Sequence, residues 1–157
     1  MSLKGKFTAE EWNTLKLLPL QFIGLVVLAD GEIDDEEFSK LNEILRDAPF
    51  YRDPLHRELM LDLAQERELM KLFKEGLLRD KTVRGAPAIK SMLRQKLSAE
   101  EYASFTRSLI STSIEIAQAS GVGNAGQGKG ISREEDFALD MLIALYEIEL
   151  KAPPAAS

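Results

Sequence analysis

The sequence predicts an all-α fold of about seven helices arranged in two pseudo-symmetric halves. Three observations point there. Apolar residues recur at three- and four-residue spacing through most of the 157 residues, the periodicity of one helix face. No stretch shows convincing period-two alternation, so a sheet has nothing to be built from. A short set of local signals also appears twice in the same order, which marks an internal repeat.

Taken in order, Thr8-Ala9-Glu10-Glu11 is a capping box, with the Thr8 hydroxyl serving a first-turn amide and Glu11 reaching back. It predicts one helix running to about Ala29, with Trp12, Leu15, Leu18, Phe22, Val26 and Ala29 on its buried face. Asp30-Gly31 ends that helix, because glycine accepts the left-handed conformation that closes one. Asp34 caps the next, with Glu37 at its third position and Phe38, Leu41, Ile44 and Leu45 as its stripe, and Asp47-Ala48-Pro49 stops it. Asp53 to about Leu78 is helical in composition, carrying Leu55, Leu59 and Leu63 and then Leu69, Leu72, Phe73 and Leu77. Arg84-Gly85-Ala86-Pro87 reads as a break before a short basic helix from Ala88 to Leu97.

Ser98-Ala99-Glu100-Glu101 is a second capping box. It opens a helix to about Ala119 through Tyr102, Phe105, Leu109 and Ile116. Gly121 to Gly130 is a glycine-rich loop. Ser132 with Glu135 caps a last helix whose stripe reads Phe137, Met141, Leu142, Leu145 and Ile148.

The repeat aligns Phe7–Trp12 with Leu97–Tyr102, and Ala29-Asp30-Gly31 with Ala119-Ser120-Gly121, both at an offset of 90 residues. Ile33–Glu37 then matches Ile131–Glu135 at an offset of 98, so the second copy carries a longer loop. These matches place a single domain at residues 7–150, with the repeat in 7–46 and 97–150 around a helical middle. Residues 1–6 and 151–157 read as flexible ends. Halves of this kind commonly pack about a pseudo-two-fold axis, which would draw the two corner loops together.

Composition narrows the function classes. The chain is 45% hydrophobic, enough for a sizeable core, and its net charge of −6 argues against a nucleic-acid footprint. It has no cysteine, so disulfides, thiolate metal sites and cysteine nucleophiles are excluded, and a cytosolic home is the simplest reading. Met1 to Lys6 has no apolar run behind it and does not read as a signal peptide. The apolar run within Leu17–Ala29 falls short of the roughly 20 residues needed to cross a bilayer.

The chemistry-bearing stretch is Ala29-Asp30-Gly31-Glu32-Ile33-Asp34-Asp35-Glu36-Glu37, six acidic side chains and a glycine around one corner. It matches the second half of an EF-hand loop, but the first ligand positions fall on Val26 and Leu28, both apolar, so an EF-hand is rejected. What remains is a set of hard oxygen ligands suited to Ca²⁺ or Mg²⁺, incomplete unless the other half contributes. Capping explains Asp34, Glu37, Ser132 and Glu135. It does not explain Asp30, a negative charge at a helix C-terminus, where the dipole opposes it.

An apolar helix, Ala-Asp-Gly-Glu-Ile and an acidic helix start, echoed after a long helical middle, resembles the TerB (tellurite-resistance-associated) and TerB-like domain family from about Phe7 to Leu150. The resemblance implies a non-enzymatic all-helical module in two pseudo-symmetric halves. It implies a divalent cation (Ca²⁺, Mg²⁺ or Zn²⁺) at Asp30, Glu32, Asp34 and Glu37 with Glu134 or Glu135 from the second half, and no organic cofactor. It implies protein partners in a stress or metal-resistance complex, often beside membrane proteins, in the cytoplasm or peripheral to the inner membrane, and it leaves a homodimer open. The chain departs from the family pattern at Ser120-Gly121, where a second Asp-Gly would stand, and in the inserted Val122–Gly130. A metal-free interaction scaffold using the acidic corner and the glycine-rich loop is the alternative.

Other signals are weaker. Gly123–Lys129 has P-loop spacing, but Gly130 replaces the required Ser or Thr and a helix precedes it where a strand is needed. A loose insertion, or an anion or partner held by its amides and Lys129, is what remains. His56, the single histidine, is flanked by Arg52, Asp53, Arg57 and Glu58 and reads as a solvated helix position, so a Ser-His-Asp triad has little support. Lys81, Arg84, Lys90, Arg94 and Lys96 read as an exposed basic face balancing the acidic corners.

Overall fold

A computed structural model describes residues 3–27, 35–47, 51–65, 79–122 and 133–150, apart from the side chains of residues 27, 35, 37, 38, 79–82 and 119–122. The fold is all-α. After a 3-10 turn at Leu3–Lys6 come α1 (Ala9–Lys16), α2 (Leu18–Val27), α3 (Asp35–Arg46), α4 (Pro54–Leu63), α5 (Arg79–Lys96), α6 (Ala99–Val122) and α7 (Arg133–Tyr146). Among the described residues, no helix is long and apolar enough to cross a membrane.

Both capping boxes form, and they form alike. Thr8 N donates to Glu11 Oε1 at 2.8 Å and Glu11 N to Thr8 Oγ1 at 3.1 Å, while Ser98 N donates to Glu101 Oε1 at 2.8 Å and Glu101 N to Ser98 Oγ at 3.1 Å. The backbone hydrogen bond holds each glutamate's pKa below its ordinary value, with Lys96 adding to this at Glu11 and Lys6 at Glu101. Thr8→Ala and Ser98→Ala are each expected to cost about 1 kcal/mol. Urea unfolding of the two variants should give equal losses, and a gap above about 1 kcal/mol would break the equivalence.

The first helix is two. It stops at Leu17, whose amide turns to the Thr14 carbonyl at 3.3 Å, and α2 restarts at Leu18. Pro19 is the cause. It lacks the N–H that a continuous helix would send to the Leu15 carbonyl, but it is tolerated in the first turn of a new helix. The expected face survives the break: Trp12, Leu15, Leu18, Phe22 and Val26 are all buried.

The opposite correction holds at residues 84–87. α5 runs through Gly85 and Pro87 as one helix instead of breaking there. Ala86, Ile89 and Leu93 lie at helical spacing and are buried, while Pro87 faces solvent. Burial on both sides of the proline outweighs its local cost of roughly 3 kcal/mol.

α2 and α6 form the centre. α3 and α4 pack on α6, α7 packs on both central helices, and α5 packs on α7. Leu15, Leu18, Phe22 and Val26 share one core with Phe105, Leu109, Leu142 and Tyr146. A second cluster joins Leu20 and Ile23 to Leu41, Ile44, Leu45, Met60, Leu63 and Ile116. α6 carries hydroxyls into this interior at little cost, because Thr106, Thr112 and Ser113 each return a hydrogen bond to the carbonyl four residues back, at 2.7–3.0 Å.

On α7 the predicted stripe is rotated. Leu142 and Ile148 are buried and Met141 and Leu145 partly so, but Phe137 is 63% exposed. Glu135, Ala138, Leu139, Leu142 and Tyr146 are the buried set. The helix is apolar on two sides, and the face bearing Leu139, Leu142 and Tyr146 buries more.

The halves are related by reciprocal contacts. Lys6 Nζ meets Glu101 Oε1 at 3.1 Å, and Lys96 Nζ meets Glu11 Oε1 at 3.6 Å. Each lysine precedes one capping box by two residues and pairs with the glutamate of the other. Lys4 stands over the Trp12 ring at 5.2 Å, and Arg94 over the Tyr102 ring at 4.9 Å, again 90 residues apart.

Candidate functional site

The corner carrying the candidate ligands is bracketed by the end of α2 at Val27 and the start of α3 at Asp35. Asp30, Glu32 and Asp34 lie outside the described residues, as does the side chain of Glu37, which occupies the first turn of α3. Glu36, beside it, is exposed. The Gly-rich loop is likewise outside the described residues beyond Val122, and α6 extends through Gly121, which the sequence placed in the loop.

The second half supplies two described candidates, and they part company. Glu134 is exposed, whereas Glu135 is 2% exposed and lies on the inward face of α7. Three acidic residues, Glu134, Glu135 and Asp136, crowd the first turn of α7, where the helix dipole favours negative charge. Of this set, only Glu135 is directed into the protein. Among the described residues, no group of three or more histidine or acidic side chains is placed to hold a metal ion.

The structure overturns the solvated reading of His56. Its side chain is fully buried between Tyr51, at 4.9 Å between ring centroids, and Phe105, which meets it edge-on at 6.4 Å. Nδ1 shares a 2.5 Å hydrogen bond with Ser108 Oγ. Asp53, also buried, caps α4: its Oδ2 accepts from His56 N at 2.8 Å and its Oδ1 from Ser104 Oγ at 2.6 Å. Burial pushes the imidazole down to about 3, so it is neutral near pH 7. Burial likewise raises Asp53, opposed first by the Ser104 hydrogen bond and then by backbone amides.

The presence of Asp, His and Ser in one cluster does not make a triad. Asp53 binds the His56 backbone rather than its ring, and the ring is sealed from any substrate. The cluster ties α4 to α6. Sequence spacing carried the signal, because His56 shares a helix face with Leu55, Leu59, Met60 and Leu63.

The basic stretch also differs from expectation. Lys90 and Arg94 both pair with Glu147, at 3.0 and 2.9 Å, and Lys96 pairs with Glu11. Two of these cations therefore pin the end of α7, and the third locks the halves together. Glu147 has a positive φ of 52°, closing α7 in the conformation usually left to glycine, with Ile148 N donating to the Ile143 carbonyl at 2.9 Å. Lys90 and then Arg94 hold its carboxyl below the ordinary range.

No protein family, curated protein or solved structure matches this chain.

Proposed function

We propose that the chain is a non-enzymatic TerB-like helical module that binds a divalent cation at the Ala29–Glu37 corner, completed by a carboxylate from the start of α7. It would act through protein partners in a cytoplasmic stress or metal (tellurite) resistance complex, peripheral to a membrane. The observation that carries the reading is the acidic sequence between α2 and α3, Asp30 above all. α2 is described to Val27 and α3 from Asp35, and in the sequence between them Asp30 precedes Gly31 in a helix-ending pair, where capping gives the carboxylate no role and a helix dipole would disfavour it. Two features support it. The matched halves form reciprocal contacts, as the repeat requires, and Glu135 at the matching position of the second half turns inward.

The test is thermal unfolding of chelator-treated protein with and without millimolar Ca²⁺, Mg²⁺ or Zn²⁺. A cation at about 100 times its dissociation constant adds roughly 2.7 kcal/mol, which raises Tm by about 5–10 °C for a chain of this size. One ion should give that shift, and Asp30→Ala should abolish it. No shift with any of the three ions would overturn the cation site and leave a metal-free interaction scaffold.

A further inference from the structure

The two halves differ on the outside of one matched helix. The offset of 98 residues that aligns Glu37 with Glu135 carries α3 onto α7. The inward positions correspond: Leu41 and Ile44 are buried in α3, as Leu139 and Leu142 are in α7. The outward positions do not. In α3 they are Ser39, Asn42, Glu43 and Arg46, all polar and all exposed. In α7 the same positions hold Phe137, Asp140, Met141 and Ala144, so three of the four are apolar. Phe137 is 63% exposed, Ala144 is exposed, and Met141 is partly buried. α3 does without an apolar outer side, so the packing of the repeat does not call for one on α7. Charge gathers around the exposed ring as well. Glu134 lies one turn before Phe137 and Asp140 one turn after it, with Asp136 beside it, and all three are exposed. Among the described residues none of these carboxylates forms an ion pair, and Arg133 is the one cation that α7 carries.

We propose that the outer face of α7 is a docking surface for a partner protein that presents an apolar side chain flanked by lysines or arginines. The apolar side chain covers Phe137 and Met141, removing from water a ring that nothing in the fold requires to be there. The basic flanks meet Glu134, Asp136 and Asp140, and a lysine or arginine can also lie over the Phe137 ring. A second copy of the chain is the poorer occupant. A two-fold contact sets the same patch on both sides and would place these carboxylates against their own copies. The inference rests on the partner-binding part of the proposed function, to which it gives a surface and a chemistry, and is independent of the cation site.

The test titrates the full chain, in chelator, against three short fluorescent peptides: one of leucines and lysines, one with glutamates in place of the lysines, and one with serines in place of the leucines. Chelator keeps the outcome separate from that of the cation test. Anisotropy should show the leucine–lysine peptide binding about tenfold more tightly than either of the others. Phe137→Ala should weaken that binding about tenfold and Asp140→Lys about fivefold, both with Tm unchanged. Glu43→Lys, at the position of α3 that matches Met141, should leave it unaltered. Equal binding of the serine–lysine peptide, or an equal loss in Glu43→Lys, would overturn the proposal by exposing general attraction to an acidic protein. No binding, or binding that Phe137→Ala leaves intact, would overturn it outright. Sedimentation showing a dimer broken by Phe137→Ala would overturn it in favour of a second copy.

Discussion

Lowering the pH from 7.5 to 4.5 is expected to cost the fold about 2–3 kcal/mol through His56 alone. The unfolded chain binds a proton at this imidazole below its ordinary value of 6.5, whereas the folded chain resists until about 3, because burial disfavours the cation. The neutral histidine's contribution is therefore complete above pH 6.5 and is lost as the pH falls towards 3, at about 1.4 kcal/mol per unit. Asp53 acts in the opposite direction. Its folded pKa is raised by burial, so its contribution is present at acid pH and is lost as the pH rises through the folded value. Glu11, Glu101 and Glu147 are depressed, so theirs is present above the unfolded value and falls away at lower pH. Urea unfolding at both pH values isolates the histidine when the chain is compared with His56→Asn, whose amide can still reach Ser108 but does not titrate in this range. The parent should lose 2–3 kcal/mol more than the variant across this window, and parallel losses would show that the imidazole is hydrated or charged.

Phe22→Ala is expected to destabilise the chain by about 3–5 kcal/mol. Phe22 is fully buried in α2 and meets the ring of Tyr146, from α7, with centroids 5.1 Å apart and planes tilted by 53°. The contact spans the halves, and its second ring also fixes the end of α7, since the Tyr146 carbonyl accepts the Tyr102 hydroxyl. Removing the Phe22 ring leaves a cavity and an unmatched aromatic partner in the shared core. Phe137→Ala, on the outer face of the same α7, should change stability by less than about 0.5 kcal/mol. Denaturant unfolding of both variants checks the pair. A loss under about 1.5 kcal/mol for Phe22→Ala would mean that the interface between α2 and α7 repacks.

Much of this architecture was legible in the sequence, and the failures have physical causes. Helical spacing located the buried faces of α1, α3, α4 and α6 because each has one clear apolar side, and on α2 it found one face of a helix that also buries Leu20, Ile23 and Leu25. It failed on α7, where Phe137 and Met141 make a second apolar side that periodicity cannot rank against the first. The sequence predicts one helix across Pro19 and a break before Pro87, and the structure has the reverse at both. The buried stripe continues across both prolines, so periodicity does not tell the one that starts a new helix from the one a single helix absorbs. His56 was assigned by its charged neighbours rather than by its own place on the α4 stripe. The sequence shows the repeat from Phe7 onward, yet Lys4/Arg94 and Lys6/Lys96 continue the same register upstream, the first pair stacking on the matching rings within each half and the second joining the halves. The acidic corner was legible only as chemistry. Asp30, Glu32 and Asp34 lie outside the described residues, and of the second-half candidates only Glu135 faces inward.

The exchanged pairs Lys6–Glu101 and Lys96–Glu11 make each half self-complementary. A hairpin that carries a lysine two residues before its cap and a glutamate three residues after the cap holds both parts of the lock, so an identical hairpin is already its correct mate. In an assembly of two such units, any substitution at the lock would be felt twice. Within one chain it is felt once, and the two copies are free to drift apart. They have done so in the degree the structure records: threonine against serine at the cap, tryptophan against tyrosine behind it, and one ion pair half an ångström longer than the other.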